Sequence, residues 1–149
     1  MNVTTGRFLA CLASFGALVG AAAEAPTVSA AWVRATPPGA STAAAYFTIA
    51  NPGAADRLIG AESPAARELQ LHRQVDENGL RHMRQLEEIP LPAGATVQLT
   101  AGGLHVMLVD IVAPLRPGDH VAMTLHFANA PDIELHVPVR DGRTMTEHH

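Results

Sequence analysis

Nine runs of apolar or alternating residues make up most of the chain, and Pro, Gly or small polar residues bound each of them. They fall at 27–36, 42–51, 57–63, 68–75, 80–87, 95–100, 104–112, 121–127 and 133–139. Their lengths suit strands, and several alternate with a period of two: in VAMTLHF, Val121, Met123, Leu125 and Phe127 share one face. No segment holds a 3.6-residue apolar period over three turns, and SPAARELQ (63–70) has room for a single helical turn at most. The pattern predicts an all-β sandwich or barrel in one domain. Pro138, inside the last run, predicts an edge position or a strand end. PLPAG reads as a break, and His120, after Gly118-Asp119, as a solvated turn residue.

The first 23 residues do not belong to that pattern. A short polar segment with Arg7 precedes an apolar stretch from Phe8 to Ala23, which closes with Ala21 and Ala23 at the −3 and −1 positions of an A-x-A cleavage site. Residues 1–23 are therefore expected to be a secretory signal peptide, too short for a membrane span of roughly 20 apolar residues. FLAC, around Cys11, has the outline of a lipoprotein processing site, but almost no apolar run precedes it. The expected organisation is leader 1–23, domain 24–140 and a polar tail 141–149, with the mature protein in the periplasm.

Cleavage after Ala23 removes Cys11, the only cysteine. A metal held by the exported chain must then be held without thiolate, in an oxidising compartment. The chain carries ten Lys plus Arg, all of them Arg, against fourteen Asp plus Glu, for a net charge of −4. It shows no basic patch, which argues against a nucleic-acid partner.

The candidate chemistry lies in three of the runs. In LHVMLVDIV, His105 and Met107 are two apart and share a face. ELQLHRQV and LRHMRQLE flank DENG, a turn signal, and read as a hairpin. With a four-residue loop from Asp76 to Gly79, Val75 opposes Leu80, Leu69 opposes Leu86, and His72 lies directly opposite Met83. With a two-residue Asn78-Gly79 turn, the pairing shifts by two and His72 and Met83 become diagonal neighbours on one face. Either way each strand argument yields one imidazole and one thioether. Thioether is soft and selects Cu(I), and imidazole suits copper generally. Zinc prefers Cys, His and carboxylate, calcium and magnesium prefer oxygen, and a blue-copper site needs Cys.

The spacing His72-x10-Met83-x21-His105-x-Met107 resembles the H-x10-M-x21-H-x-M signature of periplasmic copper chaperones of the PCuAC type. AWVRATPPG (31–39), AAAYFTIAN (43–51), DRLIGAESPAA (56–66), EIPLPAG (88–94) and PLRPGD (114–119) are similar to stretches of the same family. The resemblance implies a cupredoxin-like β-sandwich of Greek-key type that binds one Cu(I) per chain through His72, Met83, His105 and Met107; the chain is expected to be a monomer. It further implies copper supply to the binuclear site in cytochrome c oxidase subunit II, alongside a thioredoxin-like assembly factor, and no enzymatic activity. Relatives often carry a longer His/Met-rich tail, thought to hold Cu(II); here Met145, His148 and His149 make up a sparse version.

Two other classes compete with a chaperone. A copper-dependent redox enzyme needs an open coordination position, and no acid–base residue accompanies the metal face. A metal-free periplasmic interaction sandwich would use Met83 only for packing. The remaining candidates have bland expectations. His126 and His136 read as surface or strand-pairing residues, Met123 as core, and Trp32 and Tyr46 as core or rim. His82 points away from His72 and Met83. Asp110 reads as a solvated strand end, or as a group orienting a histidine. Copper transfer calls for ligands near one end of the sandwich, on or beside loops.

Overall fold

The computed structural model describes residues 24–142. The expected leader and the tail residues Met145, His148 and His149 lie outside the described residues. Ten strands follow one another: β1 (Thr27–Arg34), β2 (Thr42–Ala50), β3 (Asp56–Glu62), β4 (Ala66–Glu77), β5 (Leu80–Leu86), β6 (Ile89–Leu91), β7 (Thr96–Leu99), β8 (Leu104–Ile111), β9 (His120–Phe127) and β10 (Ile133–Arg140). No helix occurs among the described residues, so none is long and apolar enough to cross a membrane.

The strands are ordered β5-β4-β8-β2-β1-β10-β9-β3-β6, and β7 pairs with β2. Neighbours are antiparallel except at one seam, where β1 and β10 run parallel through Val33↔Val139 and Arg34↔Arg140. The result is a cupredoxin-like β-sandwich with the core between its layers. Period-two alternation builds that core. Phe47 and Ile49 of β2, Leu58 of β3, Val106 and Leu108 of β8, and Leu125 of β9 are all at most 1% exposed. Met123 is buried among them, as its alternation predicts.

The structure settles one open alternative and corrects three local expectations. Hairpin β4–β5 uses a two-residue turn: Asn78 and Gly79 have φ of 53° and 77°, and Glu77 pairs with Leu80. Two successive left-handed residues match the twist of a hairpin, which Asn-Gly favours. Val75 therefore faces His82 rather than Leu80, and Leu71 rather than Leu69 faces Leu86. Second, Ser63–Ala66 is a turn and not a helical turn; the Ser63 hydroxyl accepts from Ala65 N–H at 3.1 Å and donates to the Ala122 carbonyl. Third, Pro138 is not on an edge, since β10 lies between β9 and β1. It pairs with His120 at the end of the β9 ladder, just before the strand passes to β1. Fourth, His120 opens β9 instead of sitting in the turn, although it is exposed as expected.

Candidate metal centre

Strand β8 has two different faces. Val106 and Leu108 enter the core; His105, Met107 and Val109 point to the opposite face, since side chains alternate along a strand. Its neighbour β4 is matched to it residue by residue: Gln70↔Met107, Leu71↔Val106 and His72↔His105. Directly opposed residues of an antiparallel pair lie on one face. The face away from the core thus carries His72 beside His105, with Gln70 beside Met107. Alanine at the flanking position on β2, Ala44 opposite Met107, keeps this face free of bulk there.

The two imidazole centroids are 5.7 Å apart. Tyr46 of β2 lies 6.3 Å from His105, and Trp32 of β1 lies 4.9 Å from Tyr46. His105 is only 3% exposed although it faces away from the core. His72 is half-buried. Burial first, and the neighbouring His105 second, hold the His72 pKa below the ordinary histidine value. Its ring is therefore neutral at pH 7 and bears a free lone pair.

The hydrogen bonds leave one nitrogen of each ring without a protein partner. His72 Nε2 lies 2.9 Å from Gln70 Oε1, and His105 Nδ1 lies 3.2 Å from the Gly103 carbonyl. His72 Nδ1 and His105 Nε2 are buried and have no hydrogen-bond partner. Buried polar atoms are almost always paired, so two orphans on adjacent facing rings suit an ion. Their surroundings restrict which ion. Among the described residues no group of three or more His, Cys, Asp or Glu side chains could hold a metal. The two imidazoles therefore account for only part of a coordination shell, and the thioethers of Met107 and Met83 stand on the strands to either side.

Of the four predicted ligands, His72 and His105 are brought side by side, and Met107 is two residues along β8 from His105. Met83 of β5 opposes Gln74, so it is a diagonal neighbour of His72, whose direct partner on β5 is Gln85. At 55% exposed, Met83 is an unusually open large apolar side chain. The group lies beside the turn at 100–103 and the β4–β5 hairpin.

The other candidates separate from this group. His82 pairs with Val75, a step out of phase with Met83, and points away as expected. Asp110 is exposed, has φ of 55° and accepts from Arg67 Nε at 2.6 Å; it orients no histidine. His136 is exposed on β10, while His126 lies half-buried with Nδ1 3.0 Å from Asp132 and Nε2 3.6 Å from Glu62. Two features are added by the structure. Gln70 shares a face with His72 by simple alternation, as the sequence indicates, but its hydrogen bond to the ring is seen only in the structure. The Trp32–Tyr46 row depends on pairing between distant strands, which no local pattern encodes.

The family described as "Putative lipoprotein LpqE-like" matches residues 26–139. "Putative lipoprotein Lxx21020" of Leifsonia xyli subsp. xyli (strain CTCB07) is 38% identical over 124 residues, covering 82% of this chain and 74% of that protein. Among solved structures, the copper-bound PCuAC domain from PmoF2 is 29% identical with a TM-score of 0.68, covering 80% of this chain and 96% of that one. The solution structure of CuI-DR1885 from Deinococcus radiodurans is 29% identical with a TM-score of 0.67, covering 83% and 84%.

Proposed function

We propose, from the premise that this chain belongs to the LpqE-like family, that it is an envelope-associated copper carrier which holds one Cu(I) through His72, Met83, His105 and Met107. The observation that carries the proposal is the pair of orphaned imidazole nitrogens, on facing strands, with a methionine to either side. The copper-bound PmoF2 domain and CuI-DR1885 support both the metal and, for the latter, its oxidation state. Both of those structures hold copper, which supports reading the protein as a copper-binding chaperone without a reaction of its own.

The fit of residues to cargo is chemical. Neutral imidazole and thioether need no deprotonation to bind, so loading releases no proton from them. The two histidines form a preformed half of the site, and exposed Met83 can swing to and from the ion, which suits ligand exchange with a recipient. Without thiolate the site stays labile and forms no disulfide. We place residues 1–23 as a cleaved leader, 24–140 as the copper domain, and the mature monomer in the periplasm. The lipoprotein description of the relatives fits the same side of the membrane; the mass of the mature N-terminus distinguishes a chain starting at Glu24 from one lipidated at Cys11. The recipient is cytochrome c oxidase subunit II, with a thioredoxin-like factor alongside, and Met145, His148 and His149 supply a weak Cu(II) site.

The test is a Cu(I) titration against a competing Cu(I) chelator, with the Met83→Ala, Met107→Ala double variant beside the wild type. One equivalent taken by the wild type and lost in the variant is the expected result. A wild type that takes no copper from the chelator overturns the proposal.

A further inference from the structure

We infer that Gln70 and the Gly103 carbonyl select which ring nitrogen each histidine presents to copper, Nδ1 from His72 and Nε2 from His105, and that Gln70 is a positioning residue of the site. The inference rests on the copper-binding proposal above and deepens it.

A neutral imidazole has one N–H and one bare lone pair, and the partner of either nitrogen decides the other. The Gln70 Oε1 atom only accepts, so at 2.9 Å it fixes the proton on His72 Nε2 and leaves the lone pair on Nδ1. The Gly103 carbonyl likewise only accepts, so it fixes the proton on His105 Nδ1 and leaves the lone pair on Nε2. These two lone-pair atoms are the buried ones that have no partner. The burial also decides the orientation of the Gln70 amide. With its NH2 turned toward His72, the ring would accept at Nε2 and bury an Nδ1–H with no acceptor, and an orphaned buried N–H is rarer in folded proteins than an acceptor left unused. Metal-bound histidines ordinarily donate their second nitrogen to a carbonyl or carboxylate, and here one side-chain carbonyl and one backbone carbonyl take that place.

The two supports differ in how they are held. Gly103 oxygen also accepts from Gln74 N–H of β4 at 3.1 Å, and Gly103 N–H donates to Thr100 oxygen at 3.0 Å. The carbonyl is anchored by the turn and by the neighbouring strand together. Gly102, at φ of 85°, provides the left-handed residue this turn needs. Gln70, in contrast, is held on β4 opposite Met107 with its side chain reaching along its own strand to His72. His105 is thus the fixed arm and His72 the adjustable one. Nδ1 lies nearer its own backbone than Nε2, so His72 is also the short arm. The ion is thereby drawn toward β4, the strand whose other neighbour carries Met83.

Long-range 15N NMR of the labelled protein without copper reads the tautomers, and chelator competition reads Cu(I) affinity on the same samples. Wild type should show the Nε2–H form at His72 and the Nδ1–H form at His105. Gln70→Ala should mix the His72 tautomers, leave His105 unchanged and weaken Cu(I) binding about 10–100-fold, the usual range for losing such a partner. Gln70→Glu keeps the acceptor and should restore both the tautomer and affinity, which a packing role would not explain. Cu(I) binding with either histidine in the opposite tautomer overturns this inference alone, as does Gln70→Ala with unchanged tautomers and affinity. No Cu(I) binding by the wild type, whatever its tautomers, overturns the copper proposal and this one together.

Discussion

Replacing His105 with leucine should make the copper-free protein more stable while abolishing its copper binding. In the wild type the ring is 3% exposed, and Nε2 has no hydrogen-bond partner. An unsatisfied buried polar atom costs about 1–3 kcal/mol. Removing the imidazole also forfeits the bond from Nδ1 to Gly103, a net contribution of about 0.5–1.5 kcal/mol. Gly103 oxygen is not stranded by the change, because Gln74 N–H still donates to it. Leucine is apolar and of comparable size, so neither a large cavity nor severe overpacking follows. The balance is a gain of about 1 kcal/mol, which raises the melting temperature of a domain this size by roughly 3–6 °C. Urea denaturation of both chains with chelator present measures it. Copper reverses the order: at a hundredfold excess over its Kd, a ligand that binds only the folded state adds about 2.7 kcal/mol to the wild type and nothing to the variant. A copper-free His105→Leu chain that is less stable than wild type by 1 kcal/mol or more would refute the reasoning, since Nε2 would then have been satisfied.

Three further outcomes follow from the fold. Leu108→Ala removes a fully buried side chain from the core face of the copper-bearing strand and should cost about 2–5 kcal/mol, read by urea midpoint; Cu(I) affinity of the folded fraction should stay within threefold, and a larger loss would mean the two faces of β8 are not independent. Gly79→Ala meets no atom within 4 Å but forces φ of 77° on an L-residue, so it should cost about 1–2 kcal/mol by the same assay; no loss would mean the hairpin relaxes into a longer loop. The lowered pKa of His72 makes stability fall on acidification: the unfolded chain protonates near pH 6.5, the folded ring only at its lower value, and the copper-free protein weakens across that interval. A His72→Phe variant should flatten this part of the pH profile of the urea midpoint, and an unchanged slope would refute the assignment.

How far the sequence alone carries differs between strands and pairings. Alternation such as Val121-Ala-Met-Thr-Leu-His-Phe127 is sufficient to read β9 and its core face, because one face is buried and the period is two. Strand β6 escapes that reading: Ile89-Pro90-Leu91 is three residues long, and a proline in it suggests a break, yet it lies at the end of the strand order, where proline is tolerated. The hairpin register was ambiguous by two residues because apolar matching of Val75 with Leu80 competed with the Asn-Gly turn. The turn prevails at a hairpin tip where Leu80, 63% exposed, buries little in either register. For the site, local spacing yields His105 with Met107 and His72 near Met83. Nothing local says that β4 lies against β8, so the His72–His105 contact becomes visible only in the structure.

The parallel seam between β1 and β10 has a consequence for the order of folding. It joins the first strand to the last through only two residue pairs, Val33↔Val139 and Arg34↔Arg140. Such pairing between distant parts of a chain is slow to form, because a long loop must close before any contact rewards it. The strands that face His72 and His105 toward each other need no such closure: β4, β5 and β8, with β2 beside them, are complete by Ile111. A chain emerging N-terminus first can therefore set its two imidazoles in place while its final strand is still undocked. Pulse-labelled hydrogen exchange should find the amides of β4 and β8 protected before those of β10, and simultaneous protection would show that the seam closes together with the rest. In the expected order, the metal-facing ladder becomes a template on which the last strand completes the sandwich.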